Sequence, residues 1–152
     1  MEIVRALHMI GGPLLALAGG LPLRRTVPVA TPSGRVKNYD FPAAQRRLKP
    51  YRPELARILS GDPAQTVHVV YQSADGRFSA GIWTCEPGCW RIDFAQDEFI
   101  HLLDGVVVVT DAMGEARTYR AGDAFVSPAG FSGTWDVRER VRKYFTLSGE
   151  PA

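Results

Sequence analysis

Glu98-Phe-Ile-His-Leu-Leu-Asp-Gly-Val-Val-Val-Val-Thr110 and Ala121-Gly-Asp-Ala-Phe-Val-Ser-Pro-Ala-Gly130 decide how this chain is read. Each joins short runs of β-branched and aromatic residues to a glycine turn, the texture of strands separated by tight reversals. The pattern extends in both directions from Thr66. Val67–Gln72, Phe78–Thr84, Trp90–Phe94, Phe99–Leu103, Val106–Thr110, Arg117–Arg120, Ala124–Val126, Thr134–Val137 and Val141–Leu147 read as strands. Asp75-Gly76, Pro87-Gly88, Asp104-Gly105, Met113-Gly114, Ala121-Gly122-Asp123 and Pro128-Ala129-Gly130 read as the turns between them. Short strands at near-regular spacing predict an all-β sandwich or small barrel. No helices interleave with them, which excludes a parallel βαβ sheet.

The whole chain of 152 residues suits one domain. Its 45% hydrophobic and 22% charged residues exclude global disorder. No apolar run nears the roughly 18 residues of a membrane span, so no membrane partner is expected. Residues 1–60 carry ten Lys/Arg against three Asp/Glu, and the remainder eight against thirteen. The positive charges are scattered, which suits a solvated extension better than a nucleic-acid arm.

Residues 1–50 hold six prolines and five glycines without periodicity and read as an irregular extension. Leu14-Leu-Ala-Leu-Ala18 ends in Ala-x-Ala, but Gly11, Gly12 and Pro13 break the apolar run a secretory signal needs. A short helix is expected over Pro53–Leu59, with proline in its first turn and Gly61 just beyond. Cys85-Glu-Pro-Gly-Cys89 reads as a tight hairpin. On that reading Ile82, Thr84, Trp90, Ile92 and Phe94 form the core face, and Trp83, Cys85, Cys89, Arg91 and Asp93 the other. The cysteines could bond across the hairpin, but two reduced thiols in a cytoplasmic protein are the expectation.

Two segments resemble motifs of the cupin superfamily. Glu98, six residues and Gly105 look like the second half of the first cupin motif. Gly122, five residues and Pro128-Ala-Gly130 look like the start of the second, sixteen residues on. Gly81-Ile-Trp83, Cys85-Glu-Pro-Gly88, Trp90-Arg-Ile-Asp93, Asp97-Glu98, Phe131-Ser-Gly-Thr-Trp135 and Val141-Arg-Lys-Tyr144 are similar to small single-domain cupins related to the cupin domain of (S)-ureidoglycine aminohydrolase. The resemblance implies a double-stranded β-helix, or jelly roll, over residues 62–148, with a pocket inside and a homodimer as the assembly. Residues 1–61 are then a basic leader carrying the short helix, and 149–152 a tail.

Metal-binding cupins hold their ion with an H-x-H pair, a Glu and a later His. Here Glu98 matches the Glu, but the H-x-H falls on Ile92 and Phe94, or one register back on Arg91 and Asp93, and the later His falls on Gly133. One carboxylate does not hold a transition metal tightly, so no metal and no cofactor are expected.

Glu98 is the candidate catalytic residue. Desolvated among Trp90, Ile92 and Phe94 it would serve as general acid or base; satisfied by a nearby cation it would be structural. Lys143 shares a strand face with Val141 and Phe145, as partner of Glu98, as anchor for an anion, or as a snorkelling edge lysine. Trp83 and Trp135 either stack on a planar ligand or fill the core. The candidate ligand pocket is therefore Trp83, Trp90, Ile92, Phe94, Trp135 and Lys143 around Glu98. His68 reads as a sheet histidine or a pocket base, and His101 lies on the strand face opposite Glu98. Gly105, Gly122 and Gly130 serve turns, and Asp123 a turn carboxylate. The functional expectation is a metal-independent, small-molecule-binding cupin. The alternatives are an enzyme similar to the aminohydrolase, acting on a small nitrogenous or carbonyl substrate, and an assembly partner. Whether the chain is catalytic stays open.

Overall fold

Side-chain alternation turns the strand-forming segments into one bent antiparallel sheet. A computed structural model describes residues 37–42 and 48–150. Its strands are β1 (Ile58–Gly61), β2 (Gln65–Gln72), β3 (Phe78–Cys85), β4 (Gly88–Asp93), β5 (Asp97–Asp111), β6 (Ala116–Arg120), β7 (Ala124–Ser127) and β8 (Ser132–Ser148). The all-β jelly-roll expectation holds. No helix among the described residues is long and apolar enough to cross a membrane.

β8 is the hub. Residues 132–137 pair with β4, residues 141–148 pair with β3, and β5 runs along the other edge over both halves. Trp135, Val137, Val141, Lys143, Phe145 and Leu147 turn inward, whereas Arg138, Glu139 and Arg140 stay exposed where the strand bends. Ile82, Ile100 and Leu102 are fully buried; each contributes roughly 1.5–3 kcal/mol by leaving water.

The structure corrects the sequence reading in several places. Asp104-Gly105 is a bulge inside the single strand β5, and Arg138–Arg140 is a bend inside β8, so four expected strands are two long ones. Gly105 has φ +86°, and its Cα lies against the Arg140 carbonyl with no room for a Cβ. Glycine is required there by conformation and by close approach together.

The expected helix over Pro53–Leu59 is one 3₁₀ turn, Leu55–Arg57. Ile58 and Leu59 instead open β1, an edge strand on β4. The stretch is too short to nucleate a helix, and strand pairing of Ile58 with Trp90 wins. The sheet thus begins at Ile58, within the segment read as leader. The amide and carbonyl of Tyr51 also exchange 2.8 Å bonds with those of Gln65.

The Cys85–Cys89 hairpin does not form. β3 and β4 lie on either side of the β8 bend, so Cys85 pairs with Gln65 and Val141, and Cys89 with Ser60 and Asp136. With no direct register between the strands, the predicted face of β3 inverts. Trp83 and Cys85 join Trp90, Ile92 and Phe94 in the core, while Thr84 faces the other way and bonds Thr66 at 2.6 Å. Alternation gave no signal because all of β3 after Phe78 is buried. Gly122 and Gly130 do occupy positive-φ turns, and Asp123 accepts from the Arg120 amide at 2.8 Å. The expectations for residues 1–36 lie outside the described residues.

Candidate functional site

Inside the bent sheet lies a pocket with an open mouth. Three tryptophans wall it because three adjacent strands each direct one inward: Trp83 from β3, Trp90 from β4 and Trp135 from β8. Their rings pack on one another, Trp83 edge-on to Trp135 at 5.8 Å between centroids and Trp90 tilted against Trp135 at 6.2 Å. Ile92 and Phe94 complete the apolar wall. The Phe94 backbone is tied to the 128–131 turn by bonds of 2.7 and 2.9 Å to Gly130 and Phe131.

The polar part of the pocket is a buried ion pair. Glu98 enters from β5 and Lys143 from β8, and Lys143 Nζ donates to Glu98 Oε1 at 2.7 Å. Their side chains are 2% and 5% exposed. Nζ also sits 4.4 Å from the Trp135 ring centroid and 4.7 Å from that of Trp83. Lys143 is therefore held by a carboxylate and two indole faces. Burial pushes its pKa below the ordinary lysine value, and the Glu98 charge and hydrogen bond only partly offset that.

Two buried polar atoms of this lining, Glu98 Oε2 and Trp135 Nε1, have no hydrogen-bond partner among the described residues. Trp83 Nε1, by contrast, donates to Tyr51 Oη at 3.0 Å and more weakly to Gln65 Oε1 at 3.4 Å. Burial pushes the Tyr51 phenol up, opposed by that hydrogen bond from Trp83. At the mouth, Arg52 is clamped by both carboxylate oxygens of Asp62, at 2.5 and 2.7 Å.

All seven site residues expected from sequence line this one pocket: Glu98, Trp83, Trp90, Ile92, Phe94, Trp135 and Lys143. Tyr51, Arg52, Pro53 and Gln65 line it too and were not expected. The first three lie in a stretch without periodicity. An aromatic just past the proline-rich segment was the only trace they left. His68 stands on β2 outside the pocket, with Nδ1 unpartnered among the described residues, and His101 lies on the outer face of β5 near the Tyr144 ring. Both cysteines are free thiols, and burial pushes each pKa up, which suits inert side chains.

The residues do not fit a cupin metal. Ile92 and Phe94 point into the pocket beside Glu98, whereas Arg91 and Asp93 point outward, Asp93 to a 2.7 Å pair with Arg57. The positions that would hold the H-x-H pair are thus hydrocarbon. Gly133 offers no side chain, and Lys143 places an ammonium against the one remaining carboxylate. No three His, Cys, Asp or Glu converge among the described residues.

The fold agrees with what is found among known proteins. The family model for the EutQ-like cupin domain matches residues 72–145. The fold is that of a cupin jelly roll. The chain is similar in structure to a protein of unknown function from Pseudomonas syringae pv. tomato, with TM-score 0.62 and 21% identity over 66% of this chain and 44% of that one. It thus spans under half the length of that relative. It also resembles a putative ethanolamine utilization protein Q from Salmonella typhimurium, with TM-score 0.51 and 22% identity over 66% of this chain and 79% of that one. A third likeness is the EutQ protein of Clostridium difficile, with TM-score 0.51 and 14% identity over 57% and 68% of the two chains. At these identities the likeness to solved structures is one of fold. No protein with a curated description matches the sequence significantly.

Proposed function

We propose that this cupin binds a small organic molecule in the tryptophan-walled pocket without a metal ion. The Glu98–Lys143 pair is its polar anchor. The observation that carries the reading is a buried charge pair in the lining of an open pocket, with one carboxylate oxygen left unpaired. Burying such a pair contributes little to stability, because desolvation offsets most of the attraction, and apolar residues of similar size often do as well. A pair set in the lining of an open pocket is therefore better suited to binding than to holding the fold. Concave, mostly apolar sites with a few converging polar groups are the usual form of small-ligand sites.

The experiment is native mass spectrometry of protein purified without chelators, with elemental analysis of the same sample. Expected are a co-purifying organic mass and less than a tenth of a metal per chain. A stoichiometric Mn, Fe, Ni or Zn would overturn the metal-free reading and restore the aminohydrolase-like alternative. Homodimer formation, the assembly the cupin resemblance implies, is read from the mass of the intact species in the same spectrum.

A further inference from the structure

The charges lining the pocket cancel in pairs. Lys143 is held by Glu98, and Arg52 at the mouth by Asp62. Of the three protons on the Lys143 ammonium, one is donated to Glu98 Oε1, and the two indole faces cover its other sides. Among the described lining residues no unpaired cation is left to receive an anionic ligand. A ligand carboxylate reaching Lys143 would enter a water-poor space beside Glu98, where like charges repel strongly. A ligand ammonium reaching Glu98 would meet Lys143 in the same way.

The two atoms that lack partners have opposite needs. Trp135 Nε1 is only a donor and requires an acceptor. Glu98 Oε2, on a carboxylate already paired with Lys143, requires a donor. Both side chains line the pocket and contact the same Lys143 ammonium, Glu98 through Oε1 and Trp135 through its ring face. Leaving either unmet in a buried site is costly. The walls that flank them are flat indoles, which favour a planar group.

Building on the binding reading above, we infer that the pocket is selective for a small uncharged primary carboxamide. Its N–H is received by Glu98 Oε2 and its carbonyl oxygen takes the proton of Trp135 Nε1. An amide is planar, neutral, and carries donor and acceptor on different atoms. A carboxylate offers acceptors only, and an ammonium donors only.

The test uses the full chain and six probes: benzamide, benzoate and benzylamine, with isobutyramide, isobutyrate and isobutylamine as their aliphatic counterparts. Binding is read by tryptophan fluorescence and ligand-observed NMR. In each series the amide is expected to bind at least tenfold more tightly than the acid or the amine. Trp135→Phe keeps an aromatic wall and removes the donor, and should weaken benzamide about tenfold. Glu98→Gln leaves Lys143 as a net positive charge, so it should shift preference towards benzoate. If Glu98→Gln does not fold, Trp135→Phe carries the test alone. A wild-type site that prefers either acid or amine overturns the carboxamide assignment and leaves the pocket a ligand site. Benzamide binding that Trp135→Phe leaves unchanged also overturns the assignment. No binding of any probe, with both atoms served by water alone, overturns the binding reading as well.

Discussion

Lys143 and Glu98, forty-five positions apart in sequence, meet through a 2.7 Å hydrogen bond with both side chains almost wholly buried. β5 and β8 pair antiparallel along most of their length, which places Leu102 opposite Lys143 and Glu98 four residues further along the same inward face. The pair is thus a product of register. The bulge at Gly105 and the bend at Arg138–Arg140 fix that register by letting two long strands curve together.

Removing one partner should cost more than removing both. Lys143→Met leaves the Glu98 carboxylate buried without its counter-charge and should lower stability by about 3–5 kcal/mol. Lys143→Met with Glu98→Leu should recover most of that loss, because the apolar pair suits the surrounding indoles. Urea denaturation of the wild type, both single variants and the double variant completes a thermodynamic cycle. Additive losses would show that the two side chains do not act as a pair.

Stability should also depend on pH through Lys143. Burial depresses its folded-state pKa below the ordinary value of 10.5. Between the depressed value and 10.5 the unfolded chain binds more protons than the folded one, so stability rises with pH across that window. Below the window both states are protonated, and the cost of burying the cation is paid in full. Lys143→Met lacks this contribution. The wild-type minus variant difference in unfolding free energy should therefore climb from the lower edge of the window towards pH 10.5. A difference that stays flat or falls would show that Glu98 and the indoles outweigh burial.

Tyr51 ties the segment before the sheet to the pocket wall. Its backbone exchanges two 2.8 Å bonds with Gln65, and its hydroxyl receives the Trp83 indole proton. A chain beginning at Lys49 should unfold within a few degrees of the full chain. What it loses among the described residues is exposed aromatic contact, such as Tyr39 on Tyr71 and Phe41 on Tyr144, worth about 0.5–1.5 kcal/mol each. A chain beginning at Pro63 lacks Tyr51 and β1, uncovers the edge of β4, and should lose at least 5–10 °C, taking about 2–4 °C per kcal/mol for a domain of this size. Tyr51→Phe should cost about 1 kcal/mol and change the tryptophan fluorescence. Equal midpoints for the chains beginning at Lys49 and Pro63 would show that the sheet proper starts at β2.

The sequence held more of the site than of the topology, for a physical reason. Inward positions alternate over Gly88–Phe94, over the first half of β5 and within each half of β8, so Trp90, Ile92, Phe94, Glu98, Trp135 and Lys143 fall on inward faces. Strand pairing carries no such local mark. Asp104-Gly105 serves a hairpin and an in-strand bulge equally well, and Pro87-Gly88 between two cysteines looks like a reversal joining paired strands. Only the curvature of β8 decides that β3 and β4 lie on opposite sides of its bend. Tyr51 was hidden because a single bridge to Gln65 leaves no periodicity to detect.

Glycine substitutions separate the bulge from the turns. Gly105, Gly122 and Gly130 have φ of +86°, +93° and +86°. The conformational cost of adding a Cβ should therefore be similar at all three, about 1–2 kcal/mol. Their surroundings differ. A Cβ at Gly122 or Gly130 meets nothing within 4 Å. A Cβ at Gly105 would run into the Arg140 carbonyl, which is backbone of the strand paired with it and has no rotamer to change. Gly105→Ala should thus exceed Gly122→Ala and Gly130→Ala by at least about 2 kcal/mol, as an overpacked contact adds to an unfavourable φ. Relief is possible only by shifting β5 against β8, which moves Glu98 relative to Lys143. The variant should accordingly perturb the tryptophan emission of the pocket, whereas the two turn variants leave it unchanged. Three equal losses of stability with an unaltered spectrum would mean that the bulge is a local turn without influence on the buried pair.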